Sequence, residues 1–398
     1  MSQPGADRAH LWLSLFSASM TLGIGIFLPF FPVWLASKGL SETGLAMVIA
    51  APALARMAVN PPIAAFADRH GAVAQVLAFC AAGGVIGFLL LGRAEGFWAI
   101  LAGIVLVAIM QGPILSLADA LIFAQLRARS LQASQPSLDY GSIRAWGSAA
   151  VFVGMVAGGQ VLGGVEPQAI IHILTGAAVI TALGAMAMAR ATPRQRPDIV
   201  VPTGAEGPRN PAALIAIIIA AAALVQASHA MVYTFSTLDW QAQVLSTGFI
   251  GLAWAAGVFA EVLFFLFARH LFGAKGSALK CLLLGATTAT LRWSLMVLVP
   301  SPLALIALQL THGLTFGATH LGAVSLLSQL VAPAHRAQAQ AWHSAAISFA
   351  LFVTTAACGP LHLHLGAGGY SAMAMVAVAG LGLALLAGAR LKQARAPG

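Results

Sequence analysis

The sequence predicts an all-α membrane protein: twelve transmembrane helices in two pseudo-symmetric six-helix bundles. Three observations carry this. First, 60% of the 398 residues are hydrophobic and 8% are charged, where soluble domains hold about 25% charged residues. A core formed in water cannot hide that much apolar surface, so the solvent must be lipid. Second, twelve apolar runs are each long enough for a bilayer-crossing helix, which takes about 20 residues. Third, the stretch ATPRQRPDIVVPTGAEGPRNP separates the first six runs from the last six. It is rich in Pro, Gly and charge and reads as a flexible linker.

The runs lie at 11–36, 45–66, 72–92, 97–125, 143–164, 168–189, 212–237, 247–268, 277–298, 303–330, 339–364 and 370–389. Helices are the sensible choice, because lipid leaves every backbone polar group to be satisfied within the chain. The first run follows MSQPGADRAH, is too long for a signal-peptide core, and is expected to be retained. With the N-terminus in the cytoplasm, fifteen of the twenty Lys and Arg residues fall on cytoplasmic segments and only Lys38 and Arg93 on the opposite side. This is a positive-inside pattern, and it predicts an inner-membrane protein with both termini cytoplasmic. The expected domains are an N-terminal bundle (1–190), a linker (191–211) and a C-terminal bundle (212–398).

The string AWGSAA starting at Ala145 returns as AWHSAA at Ala341, 196 residues later, opening the fifth and the eleventh run. Together with the two sets of six runs, it implies a duplicated unit, an arrangement by which transporters build two bundles. The net charge of +9 is spread over short loops, so nucleic acid is not an expected partner. Cys80, Cys281 and Cys358 are scattered through apolar segments without metal or disulfide spacing. No phosphate-binding glycine loop is evident, and no cofactor is expected. Neither a nucleophile–base pair nor a metal cluster suggests an enzyme. His362-x-His364 is too small a set for a metal and reads as interfacial.

Ionisable residues inside spans are rare and functional by default. Here they are Arg56, Asp119, Arg144, Glu261 and Arg292, with His172, His229, His312, His320 and His343 beside them. Asp119 and Arg144 lie at similar depths in consecutive spans and are expected to pair, since a partner offsets much of the cost of a charge in low dielectric. Counting about 1.5 Å per residue puts Arg292 and His312 at nearly the same depth, with Glu261 closer to the cytoplasm. A carboxylate there, with an arginine moving toward or away from it, is a workable proton-coupling device. Arg56 precedes Asn60-Pro61-Pro62, and either binds an anion or pins a kink there. Phe30 and Tyr233 are candidates to contact an aromatic substrate. His229 and the remaining histidines read as packing residues. Gly154 and Gly158 form a G-x-x-x-G that favours close helix contact. The four charged groups Arg144, Arg292, Asp119 and Glu261 are expected to converge on one water-accessible pocket between the bundles.

The chain also resembles the major facilitator superfamily. After the second run, Ala65-Phe66-Ala67-Asp68-Arg69-His70-Gly71 is similar to that superfamily's G-x-x-x-D-R-x-G loop, with Ala64 in place of the leading glycine. The resemblance implies a cytoplasmic gate at Asp68 and Arg69. Within the superfamily the chain resembles the phenylpropionate permease group, relatives of lactose permease and of nucleoside–proton symporters. LPFFPVWLASKGLS, YGSIRAWGS, GLAWAAGVFAEVLFF, LRWSL and LTHGLTFGATH carry this likeness. It implies a substrate-binding role for Arg144. The lactose permease pattern places a carboxylate one turn after the histidine of span ten. That position here is Thr315, so the proton falls to Glu261 or Asp119, with His312 as relay.

The expectation is therefore a secondary active transporter, a monomer, that imports a small organic anion by proton symport and alternating access. An aromatic carboxylate such as a phenylpropionate is the favoured cargo. Its substrate contacts would be Asp119, Arg144, Arg292, His312, Tyr233, Phe30 and Arg56, and its proton carriers Glu261, His312 and Asp119. Its partners would be a small molecule, protons and the lipid bilayer. A symporter for sugars or nucleosides, or an exporter, is the alternative.

Overall fold

The computed structural model describes residues 4–130, 140–192, 212–272, 277–298, 301–332 and 335–393. The linker read from the sequence lies almost wholly outside them. The described residues are nearly all helical. In chain order the helices are α1 (Pro4–Ser37), α2 (Glu42–Arg69), α3 (Val73–Leu91), α4 (Phe97–Gln111), α5 (Ile114–Ser130), α6 (Tyr140–Leu162) and α7 (Gln168–Ala191). They continue as α8 (Ala212–Ala227), α9 (Ala230–Ala242), α10 (Thr247–Phe272), α11 (Ser277–Met296), α12 (Pro302–Leu310), α13 (Thr319–Leu330), α14 (Arg336–Leu365) and α15 (Tyr370–Gln393).

Each of the twelve apolar runs falls on this set. Three are broken in the middle: the fourth is α4 plus α5, the seventh α8 plus α9, and the tenth α12 plus α13 joined by a π turn at Gly313–Ala318. Among the described residues, nine helical stretches are long and apolar enough to cross a membrane, the longest (Gln338–Gln393) containing two helices. The broken tenth run, α12 with α13, is outside that set, and so is α11. α11 carries Lys280, Arg292 and five hydroxyl side chains in 20 residues, which lowers its apolarity.

The chain divides into two compact units. The first comprises Met1–Leu40, Leu54–Ile199 and Ser246–Ala255; the second comprises Ser41–Ala53, Val200–Leu245 and Ala256–Gly398. α2 and α10 each run from one unit into the other.

In the first unit α1 packs on α6 and α7, and α3 on α4, α5 and α7. The α1–α6 seam is set by glycine. A Cβ on Gly154 would stand 2.7 Å from the Leu22 carbonyl oxygen, and one on Gly158 would stand 3.2 Å from Phe30. Only a residue without a side chain lets the two backbones come so close. Beside this seam Leu13, Phe16, Leu77, Leu117 and Ile143 fill an apolar core. In the second unit α8, α11 and α15 pack around Leu214, Ile218, Leu282, Leu327 and Ala384. Large apolar side chains stay on the outside, Trp98 and Met375 among them, as lipid permits. All three cysteines are buried. The two tryptophans of the repeated string, Trp146 and Trp342, are both exposed, while the residues that follow them, Gly147 and His343, are both buried.

Candidate functional site

Several of the polar side chains buried in the second unit gather around Arg292. α11 carries it inward, and it is 2% exposed. One guanidinium nitrogen donates to Thr315 Oγ1 at 3.1 Å and to His312 Nδ1 at 3.3 Å. The other donates to Gln309 Oε1. Gln309 is in the last turn of α12, and His312 and Thr315 flank the start of the π turn. That turn is wider than an α turn, and such turns recur at functional sites. Its carbonyl at Phe316 is not wasted: Gln226 Nε2 donates to it at 3.3 Å.

These bonds fix hydrogen positions. His229, at the break between α8 and α9, has Nδ1 3.1 Å and 3.2 Å from the carbonyls of Gln226 and Val225, so Nδ1 must carry the proton. Its Nε2 is then an acceptor, and the Thr315 hydroxyl donates to it at 3.0 Å. Thr315 thus accepts from Arg292 and donates to His229. By the same logic His312 Nδ1, which accepts from Arg292, is unprotonated, and its proton lies on Nε2. That nitrogen faces Glu261 Oε2 at 3.8 Å, beyond hydrogen-bond reach. The imidazole stands between the arginine and the carboxylate.

Gly313 makes this approach possible. A Cβ on it would run into the Ala260 backbone and lie 3.1 Å from the Glu261 amide nitrogen. α10 therefore presses directly on the π turn and brings Glu261 opposite His312.

Aromatic rings enclose the cluster. Trp293 lies 4.5 Å from the Arg292 guanidinium, donates to Ser228 Oγ at 2.8 Å, and stacks on Tyr370. His229 stacks on Tyr233, and His312 on Phe316. Tyr233 lies within electrostatic reach of both Glu261 and Arg292.

Among the described residues no carboxylate lies within 4.0 Å of the Arg292 guanidinium. Its Nε is buried without a hydrogen-bond partner. A buried cation answered only by neutral acceptors is costly. One with a spare donor is built to receive an anion.

The sequence candidates of the first unit are placed differently. Asp119 on α5 takes a hydrogen bond from the Tyr140 hydroxyl, and Arg144 is a second charged neighbour of that tyrosine. Among the ion pairs of the described residues the direct Asp119–Arg144 pair expected from depth is absent; Tyr140, one turn before Arg144 on α6, takes the carboxylate. Both charged side chains are half-buried. Arg56 is exposed, and its stem lies against Gly112 where α4 meets α5; α2 runs on through Pro61 and Pro62. Phe30 is buried on Gly158 of α6, in the packing seam. Asp68 and Arg69 are exposed at the end of α2, before a turn made by Gly71 at φ 57°. Trp34 is buried and donates to Gln168 at 2.9 Å.

Sequence reasoning put Arg292 and His312 at one depth with Glu261 closer to the cytoplasm, and named Tyr233 separately; the structure sets His312 between Arg292 and Glu261, with Tyr233 near both charges. It missed Gln309, Thr315 as an Arg292 partner, and His229. The available signal was spacing: Gln309, His312 and Thr315 recur every three residues along a helix that faces α11.

The fold and a buried, aromatic-lined cationic site inside apolar helices define an integral membrane transporter of small molecules with the major facilitator fold. The model of the MFS_1-like family matches residues 10–359, and the chain belongs to that family. It is 30% identical over 332 residues to a probable 3-phenylpropionic acid transporter of Escherichia coli (strain K12), covering 80% of this chain and 82% of that one. Among solved structures it is similar to the nucleoside transporter NupG, with TM-score 0.78 and 16% identity, covering 96% of this chain and 99% of that one. It is also similar to the POT family transporter PepTSo, with TM-score 0.74 and 12% identity over 98% and 99% of the two chains.

Proposed function

We propose that the protein imports a small aromatic carboxylate of the phenylpropionate kind together with protons, by alternating access, across the inner membrane. One observation carries the reading: Arg292 is buried, ringed by aromatic side chains, bonded only to neutral acceptors, and has an unused Nε donor. A carboxylate is the planar anion that an arginine fork fits, and an aromatic ring on the same molecule would lie against Trp293, Tyr233 or Phe316. The similarity to a probable 3-phenylpropionic acid transporter supports this cargo.

The coupling follows from His312. A proton arriving on Nδ1 removes the acceptor that Arg292 uses and places a positive charge beside it. The guanidinium then loses a protein partner and gains reason to take the anion. The new imidazolium is answered on its other side by Glu261. Proton and anion therefore favour each other's binding, and linkage makes that mutual. Orientation rests on the positive-inside distribution, which puts both termini in the cytoplasm. Asp68 and Arg69 remain the proposed cytoplasmic gate, and residues 1–190 and 212–398 the two proposed bundles.

The test is uptake of 3-phenylpropionate, a nucleoside and a sugar by proteoliposomes at two external pH values. Phenylpropionate should accumulate when the outside is the more acidic. Glu261→Gln should keep substrate exchange and lose uphill accumulation. Unchanged accumulation in that variant removes Glu261 from the coupling, and uptake of the nucleoside or sugar alone replaces the cargo.

A further inference from the structure

A second group of titratable side chains lies elsewhere in the second unit. His362, near the end of α14, stands between two carboxylates. Its Nδ1 is 2.7 Å from Glu42 Oε2, at the start of α2, and its Nε2 is 2.7 Å from Asp239 Oδ1, in the last turn of α9. The placement is well supported. Phe235, one turn before Asp239, stacks flat on the imidazole, with centroids 4.0 Å apart and planes 4° apart. Gly359 admits α2: a Cβ there would lie 2.6 Å from the Thr43 Cα.

Proton counting makes these distances informative. Each 2.7 Å contact needs a hydrogen between its two heavy atoms. A neutral imidazole has one N–H, and its other nitrogen offers a lone pair. Against an ionised carboxylate that would set lone pair against lone pair. The trio therefore makes both bonds only when it holds one proton more than a neutral ring and two carboxylates supply. That proton sits on the ring as imidazolium or on one acid.

We propose that Glu42, Asp239 and His362 form a second proton-binding site, distinct from Glu261 and His312, whose proton clamps the start of α2 to α9 and α14. When the proton leaves, one bond is lost, two ionised acids remain beside a neutral ring, and the first turns of α2 are released. The other groups facing the trio are Tyr370 of α15, within electrostatic reach of Asp239, and beyond it Cys358 and Arg292. Tyr370 Oη and Asp239 Oδ2 are both buried without a hydrogen-bond partner. Tyr370 also stacks on Trp293, which adjoins Arg292, so the two proton sites share a neighbour. By the charge distribution the trio lies on the side away from the basic loops, where an inward-directed proton would enter. The clamp closes on protonation, as a symporter needs once it has loaded from outside. It does not depend on which cargo is carried.

The test uses the full chain in liposomes without substrate, so its outcome is independent of the transport assignment. Spin labels on Ser41→Cys and Val244→Cys, both exposed, flank the trio, and the three native cysteines are buried. Pulsed EPR distances are read from about pH 5 to about pH 9, a window that brackets ordinary imidazole titration. A short distance at the acidic end should give way to a longer population as pH rises. His362→Phe, which has no N–H to donate to either acid, should show the longer population throughout. Glu42→Gln should do the opposite. Its amide can donate to the bare ring nitrogen, so both bonds survive without the extra proton and the short distance persists to the alkaline end. A wild-type distance that ignores pH would overturn the proposal. So would His362→Phe retaining the wild-type response, or Glu42→Gln opening as the wild type does.

Discussion

Arg144 and Arg292 are the same side chain set into apolar helices of the two units, yet their surroundings differ. Arg144 is half-buried near an acid, with Tyr140 between their helices and bonded to that acid. Arg292 is fully buried, and every atom it bonds is neutral. A cation with a counter-charge near it can be left alone; one without it is held at a cost that a ligand can offset. The sequence reading named both as substrate contacts. Their partners separate them, and they place the proposed anion contact in the second unit, with Arg144 in a supporting position.

That contrast can be broken most directly by truncation. Arg292→Ala should lower phenylpropionate uptake by about 30-fold or more, the lower end of the loss when a buried, hydrogen-bonded charge is cut from its ligand. Arg292→Lys should recover only part of it, because an ammonium lacks the planar fork. Arg144→Ala should cost clearly less than Arg292→Ala. Equal losses would dissolve the distinction, and a larger loss at Arg144 would reverse it.

A smaller effect sharpens the difference between packing and chemistry. Gly154→Ala forces a methyl group onto the Leu22 carbonyl and should cost about 1–3 kcal/mol of stability, as over-packing does. Thermal denaturation in detergent would register it, while the affinity of folded protein for substrate should hardly change. A large affinity loss without a stability loss would mean that the α1–α6 seam belongs to the site.

The smallest change concerns Tyr140. Tyr140→Phe removes one hydrogen bond to Asp119, worth about 1.5–3 kcal/mol when the partner is charged. Because both groups are half-buried and water can replace the hydroxyl, the observed loss should sit at or below the lower bound. Uptake should fall by less than about tenfold. A collapse like that of Arg292→Ala would give the first unit an equal share in binding.

Legibility in the sequence differed by type of residue. Lipid leaves the helices little choice, so the twelve runs were visible from composition alone, and the packing glycines Gly154 and Gly158 from their four-residue spacing. Arg292, His312 and Glu261 stood out because charge in an apolar run is expensive. Gln309, Thr315 and His229 did not, because neutral polar residues at such positions are common and cheap. The breaks inside the fourth, seventh and tenth runs also escaped, since an apolar run reads the same whether or not its helix is interrupted. His362 read as an interfacial residue. Its two acids come from α2 and α9, so no local spacing connects them.

The amino-acid sequence by itself determined that this chain dissolves in lipid as helices, where their apolar runs lie, and which few charges must earn a reason to be there. Those are local properties, decided by the solvent and by the cost of moving a charge out of water. Tertiary structure alone decided which neutral groups answer Arg292, that Tyr140 rather than Arg144 takes Asp119, and that His362 sits between two acids. Such choices turn on side chains far apart in the chain meeting within about 3 Å, the range over which hydrogen bonds form.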